Sequence, residues 1–342
     1  MEVDDNAPRR PSAVVAVAAS AGGVEALSAF VSALPEDFPA SVLVVLHIPP
    51  QGPSVLPGIL ERAGLLPSRH PVDGEKLEAG VIFVAPPDRH LAVSDGVARV
   101  APGPKENGHR PSADVLLRSV AEVYGWRSAG VVLSGTMDDG AAGLSAVVAF
   151  GGLAMVQDPS EAAFPGMPTA AIEAAEGAVV VPVKEMATQL RDWLEEQGGA
   201  LAREAAMSID DPPDDYPEGE VTPFTCPECG GSLWNVDDYG MEKYRCRVGH
   251  AFSTDSLLAG KQNALEAALW AAIVALEEKA DLCRRISKRL EEAGRTVQVE
   301  RYQQDIVAIE QQLGFLRRMV DDLLITSPDD AEQGGAGDGT TG

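Results

Sequence analysis

The chain has 342 residues, 45% of them hydrophobic, and a formal net charge of -25. That length allows one sizeable core plus one or two small modules, and no apolar run approaches the ~20 residues a membrane-crossing helix needs. The acidic balance repels phosphate backbones with no basic patch to offset it, which excludes nucleic acid as a partner; the polar start "MEVDDNAPRRPS" lacks the apolar centre of a signal peptide, so a cytoplasmic chain is expected.

Residues 1–11 have no apolar periodicity and read as a disordered leader. From Ala13 the pattern alternates: a strand "AVVAVA", a helix "GVEALSAFVSAL", and a strand "SVLVVLHI" that ends at His47. Strand, helix, strand opens a βαβ unit. The segments "GVIFVAP" and "GVARVAP" bracket "LAVSDG", whose Asp-Gly signals a hairpin. There follow a helix "SADVLLRSVAEVYG", a strand "SAGVVLSG", a helix from Ala141, a strand "GLAMVQ", a helix "TAAIEAAEG", a strand "AVVVPV" and a helix "MATQLRDWLEEQ". Short, nearly all-apolar strands require cover on both faces, so the expected fold is α/β: a doubly wound, mostly parallel sheet over residues 12–199. Residues 200–221 are Asp- and Pro-rich and read as an exposed linker that lets the C-terminal third of the chain move independently. A Cys/His-rich module over 222–254, a helical hairpin over 255–325 and a disordered tail over 326–342 complete the expected order.

In such sheets ligands collect at the carboxyl ends of the strands. Ser20 follows the first strand, His47 closes the second, and Asp139 lies in "SGTMDDG" after the strand "AGVVL". Hydroxyl, imidazole and carboxylate are the set that acyl transfer uses. Taken singly, Ser20 reads as a helix N-cap, His47 as a structural histidine and Asp139 as a turn residue. "SAGGVE" has neither GxGxxG nor a Walker lysine, and the GxSxG elbow of α/β-hydrolases is absent.

The motifs "AASAGG", "LHIPP", "VAPPDRHLAV", "HRPSADVLLRSVA", "GVVLSGTMDDGAAGL" and "FPGMPTAAIE" resemble, in order and spacing, the catalytic domain of the chemotaxis protein-glutamate methylesterases (CheB), over residues 13–195. The resemblance implies a Ser20, His47, Asp139 triad without a catalytic cofactor, hydrolysing glutamyl methyl esters on the cytoplasmic helices of chemoreceptors and deamidating receptor glutamines. Backbone amides of Ala21, Thr136 and Met137 are oxyanion-hole candidates, and His90, His109, Arg110 and Met167 are candidates to line the substrate cleft. Two departures stand out: Ala21 replaces a frequent Thr, and "SGTMDDG" replaces "TGMGNDG", adding Asp138 beside the triad carboxylate. The receiver domain that usually precedes this domain has no room before Ser20, so control is expected from another protein or the C-terminal module.

Cys226 and Cys229 form CxxC, and Cys246 and His250 form a second knuckle, the pattern of a zinc ribbon. Four protein ligands leave no open position, so a structural zinc is expected. Cys283 falls in a seven-residue series with Leu269, Leu276 and Leu290; Tyr302, Ile306, Ile309, Leu313, Leu316, Val320 and Leu323 form a second seam, and "EEAGRT" offers the turn of an antiparallel hairpin. That hairpin has two readings: it docks a separate regulator or a second copy of the chain, or it only completes the core of the Cys/His module. The alternatives to an esterase are a non-catalytic signalling adapter, or a serine hydrolase or amidase with another acyl substrate.

Overall fold

The computed structural model of the chain describes residues 11–50, 54–200 and 219–325. The leader, most of the linker and the tail expected from the sequence lie outside the described residues. Contacts divide the chain into two compact units, Met1–Leu258 and Ala259–Gly342.

The first unit begins with β1 (Val14–Ala19), α1 (Gly23–Ser32), β2 (Ser41–Leu46), α2 (Leu56–Ala63), β3 (Ser68–Arg69), β4 (Glu75–Lys76), β5 (Ile82–Val84), β6 (His90–Ser94) and β7 (Val97–Ala101). It continues with α3 (Ala113–Tyr124), β8 (Ser128–Val132), α4 (Ala141–Ala149), β9 (Leu153–Gln157), α5 (Gly166–Ala174), β10 (Val179–Val181) and α6 (Val183–Ala200). Seven strands form one sheet in the order β10-β9-β8-β1-β2-β5-β3, every pair parallel. The two-residue period of β1 explains its wholly apolar sequence. Val15, Val17 and Ala19 face a core built with Leu27, Phe30, Leu60 and Leu190, whereas Val14, Ala16 and Ala18 face a second core with Leu116, Leu117, Val120 and Leu144. Helices therefore cover both faces, as the sequence implies.

The β6–β7 hairpin turns at Asp95 and Gly96, whose φ angles of 53° and 74° are those of a type I′ turn, and β4 joins it in a small antiparallel sheet. The order of the main sheet reverses at β1, which lies between β2 and β8. The loops leaving β1 and β8 thus part on either side of a crevice, the usual place for a site in an open α/β sheet.

The same unit contains a four-stranded antiparallel ribbon of β11 (Glu220–Thr225), β12 (Ser232–Asp238), β13 (Met241–Cys246) and β14 (Ala251–Ser253). Its own core is only Cys226, Leu233, Tyr244, Cys246, Phe252 and Leu257. Lys243 of β13 is 1% exposed and bonded to Glu106 and Asp114, while Arg118 of α3 pairs with Asp238 of β12 at 2.6 Å. A charged side chain is buried only where partners compensate it, so these pairs fix the ribbon against the α/β layers.

α7 (Thr254–Glu292) leaves the first unit and continues into the second, where α8 (Thr296–Ile325) returns. Every residue of the expected α8 seam joins the core of this hairpin. On α7, Leu269, Leu276 and Cys283 join it as expected, together with Ile273 and Ala280, the alternate positions of the same heptads. Leu290 is only half-buried. Arg284 to Glu310 at 2.8 Å and Arg317 to Glu277 at 2.6 Å tie the antiparallel helices along their flanks.

Candidate active site and metal centre

Ser20 is the first residue past β1, and its amide donates to Ser134 O at 2.9 Å, tying the end of β1 to the loop after β8. It does not cap α1. Gly22 holds that position at φ 67°, a left-handed conformation that frees the Ser20 side chain from the helix. Gly135 must also be a glycine, since a Cβ there would lie 2.1 Å from Met167 Sδ and 2.9 Å from Ser20 Cβ.

His47 directly follows β2. Its Nδ1 lies 3.1 Å from Ser20 Oγ and its Nε2 lies 2.7 Å from Asp139 Oδ2. A carboxylate only accepts, so Nε2 carries the proton and Nδ1 presents its lone pair to the serine hydroxyl. The Asp139 carboxylate is 2% exposed and surrounded by donors. Besides His47, Oδ2 accepts from the Ala113 amide at 2.7 Å; Oδ1 accepts from Ser112 Oγ at 2.8 Å, Asn107 Nδ2 at 2.9 Å and the Asp114 amide at 3.2 Å. The free amides at the start of α3, whose own N-cap Ser112 makes no side-chain cap, are thereby satisfied by a carboxylate from another loop. Burial alone favours the protonated acid, but the hydrogen bond and charge of His47 outweigh it and hold Asp139 well below the usual carboxylate range.

Asp138, the additional acid, is 9% exposed, and burial pushes it up to about 6. One of its oxygens has no partner among the described residues. Of the oxyanion-hole candidates, the amides of Ala21, Thr136 and Met137 have no acceptor among the described residues. Met137 is held at φ 62°, a conformation costing a side-chain-bearing residue on the order of 1 kcal/mol. The loop is fixed from below, for Gly135 donates to Phe164 O at 2.9 Å and Met167 donates to Gly135 O at 2.8 Å.

The cleft candidates separate. His109 stacks on His47. Arg110 is committed to Asp88 at 2.6 Å and Gly103 O at 2.7 Å. His90 does not reach the cleft: it is 6% exposed, Nε2 donates to Pro104 O at 2.7 Å and Nδ1 accepts from the Ser112 amide. Met167 is 1% exposed and packs behind Ser20 against Gly135. Sequence reasoning missed Asn107 and Ser112. Asp114, in the first turn of α3, also accepts from the amides of Gly140 at 3.0 Å and Gly143 at 2.7 Å, at the start of α4. The Asn-Gly of "KENGHR" signalled only a turn, which Asn107 makes at φ 52°.

In the ribbon, the ligand atoms of Cys226, Cys229, Cys246 and His250 all lie within 4.8 Å of one another. Cys229 Sγ is 3.6 Å from Cys246 Sγ, and His250 Nδ1 is 3.5 Å from Cys246 Sγ and 3.8 Å from Cys226 Sγ. A tetrahedron with metal–sulfur bonds of about 2.3 Å has edges of roughly 3.8 Å, so spacing and donor chemistry both fit zinc.

The family model described as CheB methylesterase matches residues 15–190. Protein-glutamate methylesterase/protein-glutamine glutaminase 2 of Anaeromyxobacter dehalogenans is 40% identical over 190 residues, 55% of this chain and 56% of that one. A second protein of that organism, numbered 3 under the same name, is 44% identical over 183 residues, 53% of this chain and 54% of the relative. The chain thus spans about half the length of the curated relatives it matches. The crystal structure of the Thermotoga maritima CheB methylesterase catalytic domain superposes with a TM-score of 0.50 at 30% identity, covering 53% of this chain and 97% of that one. Matched over residues 15–190 and sharing the parallel sheet with that catalytic domain, the chain belongs to the CheB methylesterase family.

Proposed function

We propose that the chain hydrolyses methyl esters of glutamate side chains on the cytoplasmic helices of chemoreceptors, with Ser20 as nucleophile, His47 as general base and acid, and Asp139 as the group that orients and stabilises His47. The observation that carries this reading is the unbroken line from Ser20 Oγ through both nitrogens of His47 to the buried Asp139 carboxylate. As Ser20 Oγ bonds to the ester carbonyl carbon, its proton passes to His47 Nδ1. The imidazolium then protonates the departing methoxide, and methanol leaves. Water attacks the acyl-enzyme by the same route, releasing the glutamate carboxylate and returning the proton to Ser20. Backbone amides of Ala21, Thr136 and Met137 are assigned to the developing oxyanion.

Deamidation needs only ammonia in place of methanol as leaving group, and the names of the relatives carry both activities. The closed Cys226, Cys229, Cys246, His250 set is assigned to a structural zinc that stabilises the ribbon, and no step of hydrolysis passes through it. Among the described residues no helix is long and apolar enough to cross a membrane, in keeping with action on the cytoplasmic part of a receptor. The exposed Trp270, Leu282 and Phe315 of the hairpin support its contact with another protein, a regulator or a second copy. Methanol release from methylated receptor fragments by the native chain, compared with Ser20→Ala, tests the reading.

A further inference from the structure

Lys243 lies outside the residues matched by the family model, yet three hydrogen bonds, through Asp114 and Asn107, link its side chain to the triad carboxylate. It faces inward from β13, opposite Ser253 of β14. Its Nζ donates to Asp114 Oδ2 and, at 2.8 Å, to Glu106 Oε1, and lies 3.8 Å from Asp238. Arg118 is the other cation of this buried group, paired with Glu106 and Asp238.

Two routes lead from the ribbon to Asp139. In the first, Asp114 accepts from Lys243 through one oxygen, and through the other from the amides of Gly140 and Gly143, gripping the backbone directly after Asp139. In the second, Asn107 Nδ2 donates to Asp114 at 2.8 Å and to Asp139 at 2.9 Å, while Asn107 Oδ1 accepts from the Ser253 amide at 3.0 Å and Ser256 Oγ at 3.3 Å. The Asn107 amide nitrogen therefore donates to two buried carboxylates; burial pushes Asp114 up, and the Lys243 ammonium opposes that rise. Buried carboxylates this closely linked compete to take up a proton unless a cation compensates them. Within the α/β layers Arg118 is directed at Glu106 and Asp238, and Lys243 supplies the cation at Asp114.

We infer that Lys243 is a positioning residue of the hydrolase site: its ammonium, delivered by the ribbon, keeps Asp114 ionised, so that Asp139 stays an oriented carboxylate for His47. The inference rests on the triad reading above. It makes the ribbon a component of the active site in addition to a metal-binding module.

The test uses the full chain with its zinc. Lys243→Met is compared with native protein for kcat, KM and the pH dependence of methanol release, and Lys243→Gln, which keeps a donor without the charge, serves as the second variant. Around Asp139 the ionisable groups are His47, His109, Asp114 and Asp138; around Lys243 they are Glu106, Asp114, Asp238 and Arg118. Loss of the ammonium makes every one of these sites harder to deprotonate, so the acid limb of the profile should move to higher pH. The expected result is that shift, a fall in kcat of about tenfold or more, and a KM within about threefold, because Lys243 does not touch the substrate. The downfield proton resonance of the His47–Asp139 hydrogen bond, read without substrate, should be lost or displaced in both variants. It keeps the inference testable even if the native chain releases no methanol, a result that would sink the ester reading alone. Folded variants with native kcat, acid limb and resonance would overturn the inference. So would failure of both variants to fold while Ser20→Ala folds, which would confine Lys243 to stability.

Discussion

The imidazoles of His47 and His109 lie face to face, with ring centroids 3.8 Å apart and planes 7° from parallel. Two adjacent rings cannot both carry charge cheaply. Burial, reinforced by the charge of His47, pushes His109 down to about 4, so at neutral pH it is an uncharged ring stacked on His47.

The sign of the resulting pH dependence is set by that direction. The folded value lies below the ordinary 6.5, so the unfolded chain binds the extra proton between pH 4 and 6.5, and folding loses stability as pH falls through that window. His109→Phe keeps the stack without the titration. Urea unfolding at pH 7 and pH 4.5 should show the native chain losing about 2 kcal/mol more than this variant. Equal losses would show that His109 takes up its proton in the folded state as easily as in the unfolded one.

Asp138 has the opposite sign. Its folded value of about 6 lies above the ordinary 3.8, so the folded chain holds the extra proton in that range and loses stability as pH rises through it. Asp138→Asn removes the titration, and thermal unfolding should find the variant more stable at pH 7 by about 1–3 kcal/mol, with the gain gone below pH 4. A variant less stable than native at pH 7 would mean that the partnerless oxygen has a ligand of its own.

Asp139→Asn should be more damaging than a change of charge alone suggests. Both oxygens face donors: His47 and the Ala113 amide at one, and Ser112, Asn107 and the Asp114 amide at the other. Whichever way the new amide turns, its NH₂ meets donors. Esterase activity should fall about 10³–10⁴-fold together with a lower melting temperature. A variant of native stability would contradict this donor cage.

A fragment of the α/β layers that ends at residue 199 would not include the ribbon. Such a fragment lacks Lys243, leaving Arg118 as the remaining cation beside Glu106 and Asp114. A fragment of residues 11–199 should be less stable and less active than the full chain, and Cys226→Ser should lower zinc content, stability and activity together. Equal esterase rates for fragment and full chain would separate the ribbon from catalysis.

How much of this was legible in the sequence depends on which residues carry local signals. The continuous apolar runs of β1 and β2 predict a doubly covered sheet, and their ends place Ser20 and His47. CxxC and the 302–323 heptads are equally local. Lys243 has no such signal, because "MEKYRC" reads as an ordinary half-exposed strand and its burial depends on Glu106 and Asp114, more than a hundred residues earlier. Asn107 and Asp114 were hidden for the same reason: a turn asparagine and a first-turn aspartate satisfy local rules while their side chains serve the triad. His90 shows the converse, since a histidine in a loop motif looks available until Pro104 O and the Ser112 amide occupy both nitrogens.

Methanol release from methylated receptor fragments, measured on the native chain and on Ser20→Ala under the same conditions, tests the central claim most directly. The account predicts steady release by the native chain and a rate near the uncatalysed background for Ser20→Ala, with both proteins folded and holding zinc. Release at the native rate by folded Ser20→Ala would contradict it, because among the described residues no other group bonded to His47 Nδ1 is present to attack the ester.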